Sequence, residues 1–261
     1  MAKKWGLVLG AGGSRGVAHA GFIKALEEEN IFPDYITGSS MGAVVGSCYA
    51  LGLTADFMKG ELLSLKPRKL IDLSFAPFRN KALLRSKKVR KKMHSYLGDV
   101  TFDQLKIPFR CVSVDVISGK TKVFSSAEKV LDGVLASSAI PCVFKPVAYE
   151  DMLLVDGGLK CRLPIDEIRD MGAEVVVVID VLGDFREMKG KKRLPAMLFR
   201  TLDVYDTALA KEKLKNQSPD LYLEPNLGDM SQYKFKKLDF AFEKGYELGK
   251  EAINKIKQLI L

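Results

Sequence analysis

The sequence ITGSSMGAVVG, residues 36–46, passes from an apolar strand through a glycine-bracketed serine into a helix of small residues. Ser40 is the centre of the pentapeptide Gly38-Ser39-Ser40-Met41-Gly42, which has the Gly-x-Ser-x-Gly pattern of a nucleophile elbow. Such an elbow needs both glycines, because the strand-to-helix turn is so sharp that side chains there would collide with neighbouring backbone. The pentapeptide alone also fits an ordinary glycine-rich turn. The strand before it and the helix after it favour the nucleophile elbow.

A second glycine-rich stretch, Gly10–Gly16, follows the apolar run Trp5–Leu9, which is typical of a buried parallel strand. Apolar residues at helical spacing predict a helix over residues 17–29, and residues 31–37 predict a second strand. A strand, helix and strand in this order form a right-handed unit with parallel strands. We therefore expect the glycine loop and Ser40 at the same carboxyl edge of the sheet, where open α/β sheets place their sites.

The glycine loop matches neither common phosphate-binding pattern. A dinucleotide-binding G-x-G-x-x-G motif that starts at Gly10 would need glycine at Arg15. A Walker A loop would need lysine and a hydroxyl residue after Gly16, where Val17-Ala18 stands. What remains is a run of backbone N–H groups at a helix N-terminus, which suits a developing anion. Beside a serine nucleophile, such a loop forms an oxyanion hole.

A serine hydroxyl is a poor nucleophile until a base takes its proton. The chain has two histidines: His19, which we expect to pack or hydrogen-bond locally, and His94, which we expect to be solvated. Because no histidine follows His94, the Ser–acid–His order of α/β-hydrolases is hard to build. A serine–lysine pair stays open, although no motif places a lysine. Asp156 is the best-placed carboxylate, since it ends a predicted strand over residues 153–155 and precedes two glycines; Asp-Gly after a strand also fits a hairpin turn.

The composition is ordinary for a globular protein, with 47% hydrophobic and 28% charged residues in 261. We expect a single domain over residues 1–261, with a core over about residues 5–181 and a C-terminal helical extension over about residues 195–261. Four cysteines lack C-x-x-C spacing and are expected to be buried free thiols in a reducing compartment. No apolar run approaches the ~18 residues of a membrane-spanning helix, and the N-terminus lacks a signal-peptide core. These features predict a cytoplasmic protein.

The net charge of +9 is concentrated in two runs. Arg79–Lys92 holds eight Lys or Arg and no acid, and residues 189–193 hold four more. The first run is suited to peripheral contact with an anionic membrane surface, at the inner face of the membrane; a solvated basic face is the other interpretation. No nucleic-acid partner is expected. Within residues 66–92, a region that would suit a lid, the apolar stretch 70–78 is either core, which we favour, or a flap over the site.

The rest of the chain completes an α/β pattern. The branched run Val175–Ile179 is typical of a strand inside a sheet. The other predicted elements are strands over residues 108–116 and 120–124 joined by a hairpin, helices over residues 54–65, 86–97, 129–139 and 195–215, a strand over residues 221–223 and a closing helix from residue 238.

Over about residues 5–181 the chain resembles a bacterial member of the patatin-like phospholipase family. Three anchors carry this resemblance in the family's order: Gly10–Gly16, Gly38–Gly42 and Asp156–Gly158. Ser137–Pro141 also resembles a family segment. Three anchors in order are far more specific than any one of them. The resemblance implies a three-layer α/β/α patatin-like fold with a mostly parallel central sheet.

The resemblance also implies roles for individual residues. Ser40 carries over as the nucleophile and Asp156 as its base, and the backbone amides of Gly12 and Gly13 carry over as the oxyanion hole. Ala11 stands where many members have the first glycine of a G-x-G-x-x-G motif, and alanine is the mildest change available. No metal or organic cofactor is implied. The residues that support the motifs are Gly10, Arg15, Gly16, Gly38, Gly42, Gly157 and Gly158.

The implied activity is that of a serine acyl hydrolase that cleaves phospholipid or related lipid acyl esters through an acyl-serine intermediate. It would be of the phospholipase A or lysophospholipase type, with a lipid ester as substrate. Two alternatives stay open: a transacylase with the same dyad, and a non-catalytic lipid-binding regulatory module. The three intact anchors argue against the second alternative, because a regulatory module would be free to lose Ser40 or Asp156.

Overall fold

The computed structural model describes residues 2–64, 87–184 and 194–261. In these ranges eight strands form one sheet: β1 (Trp5–Leu9), β2 (Tyr35–Ser39), β3 (Phe109–Asp115), β4 (Thr121–Phe124), β5 (Val147–Tyr149), β6 (Met152–Asp156), β7 (Val175–Ile179) and β8 (Leu221–Leu223). The helices described are α1 (Val17–Glu28), α2 (Met41–Leu51), α3 (Ala55–Leu63), α4 (Lys87–Leu97), α5 (Val130–Ser137), α6 (Ile165–Arg169), α7 (Leu194–Asn216) and α8 (Leu238–Ile260). Short 3-10 helices cover Gly13–Gly16, Phe102–Gln104 and Gly157–Leu159.

The strand order is β5-β6-β3-β2-β1-β7-β8, and β4 pairs with β3 off this path. The pairs β1–β2, β1–β7, β2–β3 and β7–β8 are parallel, whereas β3–β4, β3–β6 and β5–β6 are antiparallel. Leu9, the last residue of β1, lies opposite Gly38 in β2. The glycine loop and Ser40 therefore leave neighbouring strands at the same edge of the sheet, as the sequence predicts.

Two separate apolar cores cover the two faces of the sheet. Along β1, Leu7 and Leu9 point into the larger core and Val8 into the smaller one, as the alternation of side chains along a strand requires. Helices α1 to α5 and α8 contribute to the larger core, while α6 and α7 contribute to the smaller one. The predicted three-layer α/β/α arrangement with a mostly parallel sheet is confirmed.

The first and last helices pack with almost no space between their backbones. A Cβ on Gly21 of α1 would lie 1.9 Å from the carbonyl oxygen of Phe242, and one on Gly245 of α8 would lie 1.9 Å from that of Ala18. Both contacts are far shorter than any real Cβ contact, so glycine is required at each position. The C-terminal part of the chain is thus tied to its beginning by α8, and β8 adds a strand to the sheet beside β7.

Several element boundaries differ from the predicted ones. The strand predicted over residues 31–37 begins only at Tyr35, because the Ile31 amide closes the end of α1 on the Leu26 carbonyl at 3.0 Å and Pro33 has no amide proton to give. Strand β5 and helix α6 were not predicted. The chain after Asp156 forms a 3-10 helix, so the hairpin interpretation of Asp-Gly is wrong at this position.

Three of the four cysteines are buried, as predicted, but Cys142 is exposed. Cys142 lies in the turn after Pro141 with φ of 65°, outside the strands and helices, and it belongs to neither apolar core. Among the described helices, none combines the length and the apolar character that crossing a bilayer requires.

Four sequence predictions fall wholly or partly outside the described residues. The apolar stretch 70–78 and the basic run 189–193 lie outside them. Of residues 66–92, the region that would suit a lid, only residues 87–92 are described. Of the basic run Arg79–Lys92, only Lys87–Lys92 is described, where it forms the first turns of α4.

Candidate active site

Ser40 occupies a strained turn between β2 and α2. Its φ of 54° and ψ of −121° are rare for a residue other than glycine, and such conformations cluster at functional sites. The neighbouring glycines allow this turn. A Cβ on Gly38 would lie 2.5 Å from the carbonyl oxygen of Gly42, and one on Gly42 would lie 2.0 Å from that of Leu9. The local geometry is that of a strand-turn-helix elbow, in which the serine is lifted out of the regular backbone.

Asp156 lies within hydrogen-bonding distance of Ser40. Ser40 Oγ donates to Asp156 Oδ2 at 2.6 Å, and the Gly158 amide donates to Asp156 Oδ1 at 2.8 Å. Both side chains are buried, each with 6% of its surface exposed. One carboxylate oxygen is therefore anchored by backbone while the other faces the hydroxyl, which fixes the carboxylate in a position to accept the hydroxyl proton.

The register of β3 explains how the serine and the aspartate meet. Ser39 of β2 lies opposite Val112, and the next residue of β3, Ser113, lies opposite Asp156 of β6. β6 runs antiparallel to β3, yet it ends at Asp156, level with Ser40, and does not continue to the far edge of the sheet. A Cβ on Gly157 would lie 2.3 Å from the Val112 carbonyl oxygen, so the chain can turn this close to β3 only with glycine there.

The segment after α5 supports both members of the pair. The Ser40 amide donates to Ser137 Oγ at 3.0 Å, and the Asp156 amide donates to the Ala139 carbonyl at 3.0 Å. Ser137 is fully buried. In the sequence, only the resemblance of residues 137–141 to a family segment points to this support. That resemblance does not predict a role for Ser137.

The glycine loop leaves two backbone amides available at the pocket. The amides on either side are engaged: that of Ala11 donates to a carbonyl at 3.1 Å and that of Ser14 to another at 3.0 Å. In the described part of the chain, the amides of Gly12 and Gly13 donate to no acceptor, and both residues line the pocket beside Ser40. Gly13 has φ of 52°, a conformation that favours glycine. This arrangement suits the binding of an oxyanion.

The remaining motif residues shape the loop. A Cβ on Gly16 would lie 2.5 Å from Cγ of Met41, which places the start of α1 directly against the start of α2. A Cβ on Gly10 would lie 2.9 Å from the side chain of Leu163. Arg15 is buried within the 3-10 helix that follows the loop, with 6% of its surface exposed.

The pocket is about 590 Å³ in volume, counted together with its open mouth. Its apolar wall consists of Ala11, Ile140, Pro141, Leu159, Leu182 and Leu202. Its polar wall, beyond Ser40, Asp156 and the glycines, consists of Asp203, Asp206, Gln232 and Tyr233.

Burial raises the pKa of Asp156 from 3.8 to about 7. The negative charge of Asp206 acts in the same direction, whereas the hydrogen bonds from Ser40 and Gly158 partly oppose the shift. A carboxylate whose pKa lies near neutrality is a stronger base than an ordinary aspartate, and it is still ionised in a large fraction of molecules at physiological pH.

Neither histidine is arranged as a base for Ser40. His19 is fully buried and its Nε2 lies 2.8 Å from the Gly10 carbonyl oxygen, so this contact occupies the nitrogen as a donor. Burial lowers the pKa of His19 to about 4, which keeps the ring neutral. His94 is exposed on α4, with Nε2 3.4 Å from a carboxylate oxygen of Asp99. Both outcomes agree with the sequence predictions of a locally bonded and a solvated histidine.

The sequence does not predict the buried ion cluster that lies behind the pocket. Arg162 Nη2 lies 2.7 Å from Asp180 Oδ2, and Arg162 Nη1 lies 2.9 Å from Asp206 Oδ2 of α7. The Arg162 carbonyl also accepts the amide of Ala11 at 3.1 Å, next to the two available loop amides. The cluster therefore connects the glycine loop, the end of β7 and helix α7. No sequence motif predicts this cluster, because its members lie far apart in the chain.

Comparison with known proteins places this geometry in a family. Residues 7–169 match the family described as patatin-like phospholipase. An uncharacterized NTE family protein of Mycobacterium tuberculosis is 36% identical over 178 residues, which cover 68% of this chain and 49% of the relative. Lysophospholipase nte1 of Aspergillus fumigatus is 28% identical over 283 residues, which cover 97% of this chain and 18% of the relative. The chain thus spans about half, or less, of the length of these relatives.

Solved structures agree on the fold. VipD from Legionella pneumophila superposes with a TM-score of 0.61 at 15% identity, covering 97% of this chain and 67% of that one. The type III effector protein ExoU gives 0.51 at 12% identity, covering 96% of this chain and 52% of that one. At such identities the likeness concerns the fold alone. The family match spans well over half of the sequence and includes all three glycine-rich anchors, and the chain therefore belongs to the patatin-like phospholipase family.

Proposed function

We propose that this protein is a serine acyl hydrolase that cleaves lipid acyl esters, of the phospholipase A or lysophospholipase type. The contact of 2.6 Å between Ser40 Oγ and Asp156 Oδ2 carries the proposal, because it pairs a hydroxyl in a strained elbow with a carboxylate of raised pKa. A relative in Aspergillus fumigatus is named a lysophospholipase, and the transfer of that activity to this chain is part of the proposal.

In the first half of the proposed reaction, Ser40 Oγ attacks the ester carbonyl carbon and forms a new C–O bond. Asp156 Oδ2 takes the hydroxyl proton as the attack proceeds. The carbonyl oxygen becomes an oxyanion, to which the amides of Gly12 and Gly13 donate. The C–O bond to the alcohol then breaks, Asp156 returns its proton to the leaving oxygen, and the acyl group stays on Ser40.

In the second half, water attacks the acyl-serine carbonyl and gives up its proton to the same carboxylate. The Ser40 Oγ–acyl bond breaks, Asp156 returns the proton to Ser40 Oγ, and the fatty acid leaves. The two loop amides serve both tetrahedral intermediates, and donors of this kind contribute roughly 3–4 kcal/mol each to catalysis. The apolar wall formed in part by Ile140, Leu159 and Leu202 is suited to an acyl chain.

The experiment that tests the proposal is active-site labelling with a fluorophosphonate probe. Such a probe traps only an activated serine hydroxyl. We expect the wild-type protein to be labelled, the modified peptide to carry the probe on Ser40, and labelling to be lost in the Ser40→Ala variant.

The neighbouring serine supplies a matched control. Ser39 belongs to the same pentapeptide, is fully buried, and has no hydrogen-bond partner for its Oγ in the described part of the chain. The Ser39→Ala variant should keep its labelling. Labelling that persists in Ser40→Ala would contradict the assignment of the nucleophile, and a wild-type protein that is never labelled would favour a non-catalytic lipid-binding module.

The pH dependence of turnover follows from the raised pKa of Asp156. The base must be ionised to accept a proton, so turnover should be low where the carboxyl is protonated and should rise as it ionises. We expect kcat/KM for a p-nitrophenyl ester to rise with pH through a midpoint near the pKa of about 7 and to level off above it. An Asp156 with the ordinary pKa of 3.8 would give a midpoint far into the acid range.

A second variant checks the cause of this shift. The negative charge of Asp206 raises the pKa of Asp156, so the Asp206→Asn substitution should move the midpoint to lower pH. Measurement of kcat/KM over the same pH series would show it. An unmoved or higher midpoint would mean that Asp206 does not act on the base through its charge.

A further inference from the structure

A short exposed segment beside the pocket combines aromatic and basic side chains. Residues 233–237 read Tyr-Lys-Phe-Lys-Lys and precede α8; we call them the rim segment. All five are exposed, and the aromatic rings of Tyr233 and Phe235 have 39% and 37% of their surface exposed. Phe235 stands between two lysines, and an apolar ring exposed within a basic segment is suited to contact with a partner surface.

The rim segment is fastened to the glycine loop. Ser14 Oγ lies 3.0 Å from the carbonyl oxygens of both Ser231 and Lys234, which share its one proton. The Ser14 amide donates to the carbonyl of Gln232 at 3.0 Å. A Cβ on Gly13 would lie 2.3 Å from that same Gln232 oxygen. The rim segment thus begins directly against the loop that offers the two free amides.

The first residue of the rim segment also belongs to the pocket. Tyr233 lines it and donates its hydroxyl proton to Asp203 Oδ1 at 2.6 Å. Its ring packs against that of Phe199, with the centroids 4.7 Å apart and the planes tilted by 39°. Its neighbours Lys234 and Phe235 continue outward from the pocket wall. Anything that rests on the rim segment is therefore adjacent to the mouth of the site.

Among the described residues, one ion pair compensates the charge of the rim segment. Lys237 lies 3.2 Å from a carboxylate oxygen of Asp229, an exposed ion pair. For Lys234 and Lys236, the described residues contain no ion pair. The two ammonium groups that flank Phe235 would favour an anionic surface, with the ring entering its apolar layer and the long lysine stems following it.

Helix α7 extends this surface with an apolar outer face. Its inner face supplies Leu202, Asp203 and Asp206 to the pocket. On its outer face, six exposed residues are uncharged: Met197, Leu198, Thr201, Val204, Tyr205 and Ala208. A helix with one face in the site and an apolar face toward solvent is suited to lie in a membrane interface.

We propose that the rim segment, together with the outer face of α7, docks the protein on an anionic lipid bilayer and holds the pocket mouth against it. The purpose of this contact rests on the proposed hydrolysis of lipid esters, but docking is measurable without turnover. The bilayer is the favoured occupant, because the surface pairs exposed rings with lysines and continues into a pocket with an apolar wall.

The test is sedimentation with vesicles of phosphatidylcholine mixed with phosphatidylglycerol, in the Ser40→Ala background so that no lipid is consumed. The rim variant combines Lys234→Gln, Phe235→Ser and Lys236→Gln, none of which lines the pocket. Each lysine near an anionic surface and each inserted ring strengthens binding. We expect the rim variant to partition to vesicles at least ~10-fold more weakly, and binding of the parent protein to weaken with salt.

A matched control removes the same side chains from the opposite end of the sheet. It combines Lys3→Gln, Phe32→Ser and Lys255→Gln, all exposed positions. The Lys3 amide donates to the Ile260 carbonyl just before β1, and the Phe32 carbonyl accepts from the indole of Trp5 at the start of β1. These sites lie far from the carboxyl edge that holds the pocket. We expect this control to bind vesicles like the parent protein.

Three outcomes would overturn the proposal: a parent protein that ignores the vesicles, a rim variant that binds like the parent, or a control that loses as much binding as the rim variant. Binding lost instead on neutralising Lys87, Lys88, Lys91 and Lys92 would assign docking to α4, as the basic run in the sequence suggests. In a background with Ser40 intact, the rim variant should hydrolyse a soluble p-nitrophenyl ester at the wild-type rate. Absence of that turnover in the wild type would contradict the proposed function and leave the vesicle result standing.

Discussion

Replacement of Asp156 by asparagine should lower kcat for a p-nitrophenyl ester at least ~100-fold, because general-base catalysis contributes about 10²–10⁴-fold and an amide cannot accept the proton of Ser40. The expected loss is large because Ser40 Oγ has its only described hydrogen bond to this carboxylate, at 2.6 Å. Measurement of kcat and KM separately should show the loss in kcat, since the side chain takes part in the chemical step.

Asparagine is close to aspartate in shape, so the fold should survive the change. Its amide oxygen can keep the bond from the Gly158 amide, and a neutral group is easier to bury than a charged one. Asp115→Asn is a matched control, because Asp115 is equally buried, lies on β3 opposite Leu154, and does not line the pocket. It should keep near-wild-type turnover. Near-wild-type turnover in Asp156→Asn would mean that another group, such as a lysine, is the base.

The elbow and the glycine loop could be predicted from the sequence because their requirements are local. Ser40 needs glycine on both sides for reasons within five residues, and the βα connection that places Gly12 beside it follows from one strand-helix-strand unit. The parallel pairing of β1 with β2 needs no information from the rest of the chain. The sequence therefore predicts that the glycine loop and Ser40 lie at the same edge of the sheet.

The partner of Ser40 was less accessible to sequence reasoning. The scarcity of histidines and the family resemblance led to Asp156, but neither says how a strand that runs antiparallel to its neighbour can end beside the elbow. That depends on the register of β6 against β3, in which Ser113 lies opposite Asp156. Register between distant strands is a property of the packed sheet, and no local pattern records it.

The ion cluster behind the pocket is the feature that sequence reasoning could not reach. Arg162 meets Asp180, 18 residues away, and Asp206, 44 residues away on α7. The sequence of α7 predicts only a helix, and an aspartate on a helix is ordinarily solvated. Only the packing of α7 against the smaller core turns Asp206 inward, where burial raises its pKa to about 6.

Replacement of Arg162 by leucine should destabilise the protein by about 3–5 kcal/mol, the usual cost when one partner of a buried ion pair is removed and the other charge stays behind. Asp180 has no exposed surface, and Arg162 itself is 4% exposed. Urea denaturation followed by circular dichroism would measure the loss as a shift of the midpoint at constant slope.

Arg169→Leu is the matched control, because Arg169 and Asp220 form an ion pair of the same 2.7 Å length with both side chains about one-third exposed. Solvent screens such a pair, so its loss should cost about 1 kcal/mol or less. A similar cost for both variants would mean that the burial of the Arg162 cluster adds nothing to its contribution.

The pH dependence of the Arg162→Leu variant separates charge from packing. The guanidinium lowers the pKa of Asp206, so its removal raises that pKa further above the unfolded value. A carboxyl whose folded pKa is raised destabilises the fold only where it is ionised, and protonation relieves the cost as the pH falls through the folded pKa. The deficit of the variant should therefore shrink as the pH falls below the folded pKa of Asp206. A deficit that is equal on both sides of that pKa would mean that Arg162 stabilises the fold through its packing and not through its charge.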